Sequence, residues 1–161
     1  MITVIKGDLL KSDLAIIGHQ TNCLGVMGAG IAKAIKAKWP NVFASYSKLC
    51  KNPNTNNRDL LGTCQIVPTP DGRYVANLFG EYSFTEAASP FENNRHTDYD
   101  ALRKAFISFK KQVEALGFKE AGIPYKLGCG LAGGDWDGVV FPMISELFAE
   151  DDFNLFIYQL N

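Results

Sequence analysis

Apolar and polar positions along this chain change period often, and each change marks an element. Residues 2–6 alternate and stop at Gly7-Asp8, which predicts a strand closing in a turn. Residues 14–17 are a continuous apolar run, the signature of a short strand buried on both faces. Helical spacing follows over about 30–39 and 42–51, interrupted by Pro40-Asn41, and residues 52–59 read as a solvent loop. Residues 64–67 and 73–79 are strand-like on either side of Pro68-Thr69-Pro70-Asp71-Gly72, predicting a hairpin. Residues 80–96 keep no period, and a loop of that length is expected to bind a ligand or cover a site. Thr97 with Asp100 three positions on predicts a capping box, and Leu102, Ala105, Phe106, Phe109, Val113 and Leu116 recur at helical spacing up to Gly117. Residues 121–125 predict an interior strand, about 137–148 a helix disturbed by Pro142, and 153–160 a closing strand.

Strands alternating with helices, plus one hairpin, predict a single α/β domain over residues 1–161, with helices on both faces of a mixed sheet. The composition, 47% hydrophobic and 20% charged, is that of an ordinary globular domain. No apolar run approaches the roughly 20 residues of a membrane span, and the start MITVIKGD lacks the apolar core of a signal peptide, so a cytoplasmic location and no membrane partner are expected. The net charge of −1 argues against general nucleic-acid binding, which needs an excess of cations. Cys23, Cys50, Cys64 and Cys129 are dispersed without a CxxC pair, and His19 and His96 are isolated, so neither a metal site nor a disulfide framework is expected.

Two glycine-rich turns stand between a strand and a helix. The first holds Gly25, Gly28 and Gly30 within six positions, and the second runs Gly128-Cys129-Gly130-Leu131-Ala132-Gly133-Gly134. Such turns direct backbone N–H groups and the positive end of a helix dipole at an anion, commonly phosphate. Neither GxxxxGK[ST] nor a GxGxxG after the first strand is present, which argues against a nucleotide kinase or an ordinary dinucleotide dehydrogenase. Four polar residues flank the turns, each with two readings. Asp8 could cap its turn or accept from a base amino group, and Asn22 could be a turn asparagine or grip ribose hydroxyls. His19 could be structural or an acid–base group, and Asp135 could be a helix cap or position water.

Gly7-Asp8-Leu9, the stretch 22–32 with Met-Gly-Ala-Gly-Ile-Ala, the stretch 123–136 with Pro-x-x-x-Gly-Cys-Gly-Leu, and the closing Phe-Ile-Tyr-Gln-Leu together resemble the macro domain over nearly the whole chain. The likeness is to the branches that act on ADP-ribose-1''-phosphate or on terminal ADP-ribose of proteins. It implies a three-layer α/β/α fold with a central mixed sheet, an ADP-ribose cleft across its top and no cofactor. By position, Asp8 would bind the adenine amino group with help from Leu9, and Tyr158 would lie against the adenine. Asn22 would hold the distal ribose, and Gly28, Ala29, Gly30 and Ile31 would wrap that ribose and its phosphate. Gly128, Cys129, Gly130, Leu131 and Ala132 would wrap the diphosphate. The glycohydrolase branch carries a lysine where this chain has Glu81 and an aspartate where it has Ala132. His19 matches a histidine of the phosphatase branch, so the resemblance implies an ADP-ribose-1''-phosphate phosphatase with His19, Asn22 and Asp135 as catalytic groups. The alternatives are a hydrolase removing ADP-ribose from modified macromolecules, and a module that binds ADP-ribose without turnover.

Overall fold

The computed structural model describes residues 1–84, 91, 95–149 and 152–160. In chain order the elements are β1 (Ile2–Lys6), β2 (Ile16–Thr21), α1 (Gly30–Lys38), α2 (Pro40–Cys50), β3 (Cys64–Pro68), β4 (Tyr74–Phe79), α3 (Tyr99–Ala115), β5 (Glu120–Pro124), α4 (Phe141–Phe148) and β6 (Asn154–Gln159). The six strands form one sheet in the order β1-β6-β5-β2-β4-β3, parallel except for β3, which returns antiparallel to β4 through the expected hairpin.

Strand side chains alternate between two helical layers. Ile17, Val67 and Val75 meet Ile35, Trp39 and Val42 of the α1/α2 layer. Ile16, Leu78, Ile123 and Leu155 meet Leu102, Phe106 and Phe109 of α3 and Ile144 and Phe148 of α4. In that second layer Phe106 is packed edge-on against both Phe109 and Phe148, and burying one such ring contributes roughly 1.5–3 kcal/mol. The result is the three-layer α/β/α arrangement implied by the resemblance. No described helix is long and apolar enough to cross a membrane.

Three expectations shift. β2 runs on past Ile17 to Thr21, so His19 lies inside the strand; the polar residues that end the apolar run are buried too, apart from a partly exposed Gln20. α3 is capped by Asp98, whose carboxylate accepts from Ala101 N at 3.0 Å, while Thr97, expected as the cap, is fully buried beside it. The segment after the second glycine turn opens with a wide helical turn, Trp136–Val140, before α4 begins, which leaves Pro142 in the first turn of α4, where its missing N–H costs little. Of the long loop expected over 80–96, residues 85–90 and 92–94 lie outside the described residues.

β5 and β2 share a ladder of a single residue pair, Ile17 with Gly122. Beyond that pair no further register pair joins the two strands, and a crevice opens at their carboxyl ends, where open α/β sheets bind ligands.

Candidate functional site

The crevice has two adjoining halves. The larger, about 540 Å³, is walled by Asn22 and Val26, by Gly28 to Ala32, by Glu81 and Phe84, and by the second glycine turn with Lys126 at its entry. The smaller, about 390 Å³, lies between Asp8, Leu9, Tyr158 and Leu160. Gly30, Ile31, Pro124 and Tyr125 line both, so the two halves form one continuous groove over the strand ends.

The first glycine turn is shaped by Asn22. Its Oδ1 accepts from Leu24 N at 3.0 Å and Val26 N at 3.4 Å, and its Nδ2 donates to Val26 O at 2.9 Å. The fully buried Tyr46 of α2 donates its hydroxyl to Asn22 O at 2.7 Å and lies 2.8 Å from Oδ1. These bonds use one Nδ2 hydrogen and leave the other for the cleft. The turn then delivers α1 with no side-chain cap on its first residues, so its leading N–H groups open into the groove. Gly30 starts this helix at φ +55 with nothing within 4 Å of the place a Cβ would take, so conformation and not crowding calls for glycine there.

The second turn is held from outside. Gln20 Nε2 donates to Thr97 Oγ1 at 2.9 Å, and Thr97 Oγ1 donates to Gly128 O at 2.6 Å. Gly128 stands at φ +75, and a Cβ there would lie 2.8 Å from Gln20 Oε1, so only glycine allows this approach. Gly134 N donates back to Gly128 O, and Gly133 N to Gly130 O, closing the turn on itself.

Of the residues singled out in the sequence, Asp8, Leu9, Asn22, Gly28, Ala29, Gly30, Ile31, Gly128, Gly130, Leu131, Ala132 and Tyr158 all line the groove. Asp8 also caps its turn, accepting from Leu10 N at 2.9 Å. Three lie elsewhere. Cys129 turns its sulfur to Leu127 O, and burial pushes its thiol up to about 11. Asp135 caps the wide turn, accepting from Gly138 N at 3.0 Å, and is not part of the groove wall. His19 is fully buried on the α1/α2 side of β2; its Nε2 donates to Asn77 Oδ1 at 2.7 Å, and burial lowers its pKa to about 4. It sits behind the groove and does not line it.

Gln20, Tyr46, Thr97 and Glu81 build the site without having been expected to. Glu81 lines the larger half, and burial raises its pKa to about 7. Gln20 and Thr97 act across 77 positions of sequence, which no local pattern reveals. Glu81 left one trace, its place where a resembling branch carries a catalytic lysine.

Comparisons with known proteins show what the chain is similar to. The chain is 41% identical over 95 residues to the ADP-ribose 1''-phosphate phosphatase of Scheffersomyces stipitis, covering 49% of this chain and 55% of that one. It is 27% identical over 162 residues to the DNA ADP-ribosyl glycohydrolase of Mycobacterium tuberculosis, covering 98% and 42%. The chain thus spans about half the length of these curated relatives. The macrodomain of Mycobacterium tuberculosis DarG superposes with a TM-score of 0.77 at 28% identity, covering 98% of this chain and 97% of that one. The sequence profile of the Macro domain matches residues 19–143, from within β2 through both glycine turns and into α4, and the chain belongs to the Macro domain family.

Proposed function

We propose that this chain binds ADP-ribose and hydrolyses a derivative substituted at C1'' of the distal ribose, with ADP-ribose-1''-phosphate as its first substrate. The observation that carries the reading is the continuous groove in which the uncapped start of α1 faces the second glycine turn. Backbone N–H groups and a helix dipole from one side, and the N–H groups of a glycine turn from the other, suit a diphosphate. Asp8 and Tyr158, in the smaller half, would receive the adenine amino group and ring, and Asn22, in the larger, the distal ribose through its free Nδ2 hydrogen. His19 and Asp135 take positioning parts: His19 supports β2 under the first turn, and Asp135 fixes the end of the second.

Two relatives named for hydrolysis of ADP-ribose derivatives support the reaction class. The glycohydrolase, whose likeness extends over nearly the whole chain, favours a second reading in which the C1'' substituent is a macromolecule. Incubation with ADP-ribose-1''-phosphate and with ADP-ribosylated protein and DNA separates the cases. Phosphate release supports the first reading and release of ADP-ribose the second. Tight ADP-ribose binding by calorimetry with no turnover of any of them overturns both and leaves a binding module.

A further inference from the structure

Glu81 stands where β4 leaves the sheet, beside the exit of β2. Cys23 N donates to Tyr82 O at 3.0 Å, and Cys23 Sγ lies 3.5 Å from Glu81 O. An isolated bridge pairs Glu81 with Thr97 on its other flank. The backbone is therefore clamped from both sides, and Glu81 lines the same half of the groove as Asn22.

Charge is unevenly placed in that half. Among its described lining residues, Glu81 is the only carboxylate and Lys126 the only cation. Lys126 Nζ lies over the ring of Tyr125, 5.6 Å from its centre, and Tyr125 belongs to the junction of the two halves, where the diphosphate would pass. No arginine and no second lysine lines this half among the described residues. Transfer of a phosphoryl group spreads negative charge over its oxygens and calls for cations around it. Breaking a glycosidic bond develops positive charge at the sugar carbon and is served by a carboxyl group. A half of the groove with Glu81 as its carboxylate and a single cation suits the second.

Resting on the reading above that the groove takes C1''-substituted ADP-ribose, we propose that Glu81 is the general acid of the reaction and that the bond it helps to break is C1''–O, not P–O. The Glu81 carboxyl gives its proton to the bridging oxygen while the C1''–O electron pair leaves with the phosphate as HPO₄²⁻. Water bonds to C1'', and its proton returns to the Glu81 carboxylate. A macromolecular substituent leaves by the same steps, so one group serves both substrates.

Burial raises the Glu81 pKa to about 7, so the carboxyl holds its proton over the lower part of the neutral range. The ionisable groups on the elements around it are Cys23, Cys50, Tyr46, Arg58 and Lys126, with Arg95, His96 and Asp98 on the segment that bridges to it. Burial pushes the Cys23 and Cys50 thiols up to about 12 and 11 and raises the Tyr46 phenol above its ordinary range, while Arg58 is stacked on Tyr82 and Lys126 lies over Tyr125.

Hydrolysis of ADP-ribose-1''-phosphate in ¹⁸O-water tests the bond, because water oxygen enters the phosphate only if P–O breaks. Unlabelled phosphate is expected, and labelled phosphate overturns the proposal. Glu81→Gln should lower turnover about 100-fold or more while ADP-ribose affinity, measured by calorimetry, stays within severalfold. Wild-type turnover should fall as pH rises through 7, a dependence the variant loses. Turnover and pH profile unchanged in Glu81→Gln overturn the acid role and leave the proposed function standing. A wild type that hydrolyses no substrate overturns the proposed function and the acid role together.

Discussion

The two glycine turns do the same work by different means. The first is built from within: Asn22 spends three hydrogen bonds on the turn it begins, and Tyr46 anchors it from beneath. The second is hung from outside, by Gln20 and Thr97, and carries Leu131 at its tip, 87% exposed. Both depend on β2, whose alternation sends His19 to the α1/α2 side below the first turn and Gln20 to the α3 side below the second. One strand thus supports a wall tied by its own side chains and a wall tied from outside. Under the proposed function, the first would hold the distal ribose and its phosphate, and the second would close over the diphosphate from the other side.

The sharpest way to break the first wall is Gly30→Glu. It places a carboxylate at the open start of α1 and a side chain at φ +55, and ADP-ribose affinity in calorimetry should fall at least about 1,000-fold, roughly 4 kcal/mol. The strand beneath that wall should respond to acid. The pKa of His19 is lowered to about 4 in the folded chain against 6.5 unfolded, so between these values the unfolded chain binds the extra proton. Its contribution is complete above pH 6.5 and lost as pH falls toward 4, about 3 kcal/mol in all. Denaturant midpoints followed across that range should show the loss, and His19→Gln should flatten it. Tyr46→Phe leaves Asn22 without its deep anchor; chemical denaturation should record a cost of about 1–2 kcal/mol, with ADP-ribose binding weakened severalfold. Leu131→Ser, at the tip of the second turn, should change stability by less than about 0.5 kcal/mol. An effect there as large as that of Tyr46→Phe would remove the contrast between the walls.

Local signals carried much of the architecture. The hairpin, the helix break at Pro40, the strand of residues 120–124 and both glycine turns were readable because turn chemistry and periodicity act over a few residues. They failed where burial overrode polarity. Gly18, His19, Gln20 and Thr21 look like the end of a strand, yet they continue β2, because β4 pairs with every residue from Ile16 to Thr21. Thr97 looks like a cap because of its spacing to Asp100, and it is taken instead by Gln20 and Gly128. Of the flanking polar residues, Asp8 and Asn22 line the groove, while His19 and Asp135 have structural partners.

By itself the sequence determined where a strand hands over to a glycine-rich turn and a helix, since glycine spacing and an uncapped helix start are local properties. Only the tertiary structure decided which side chains look into the groove. A strand turns successive residues to opposite faces, so whether His19 or Gln20 meets the ligand side depends on which helices cover each face. Whether Glu81 titrates as an ordinary surface carboxylate or near 7 depends on how much solvent its surroundings exclude. Register and desolvation arise from residues far apart in the chain, and they turned a pair of glycine loops into a groove whose larger half has Glu81 as the carboxylate among its described lining residues.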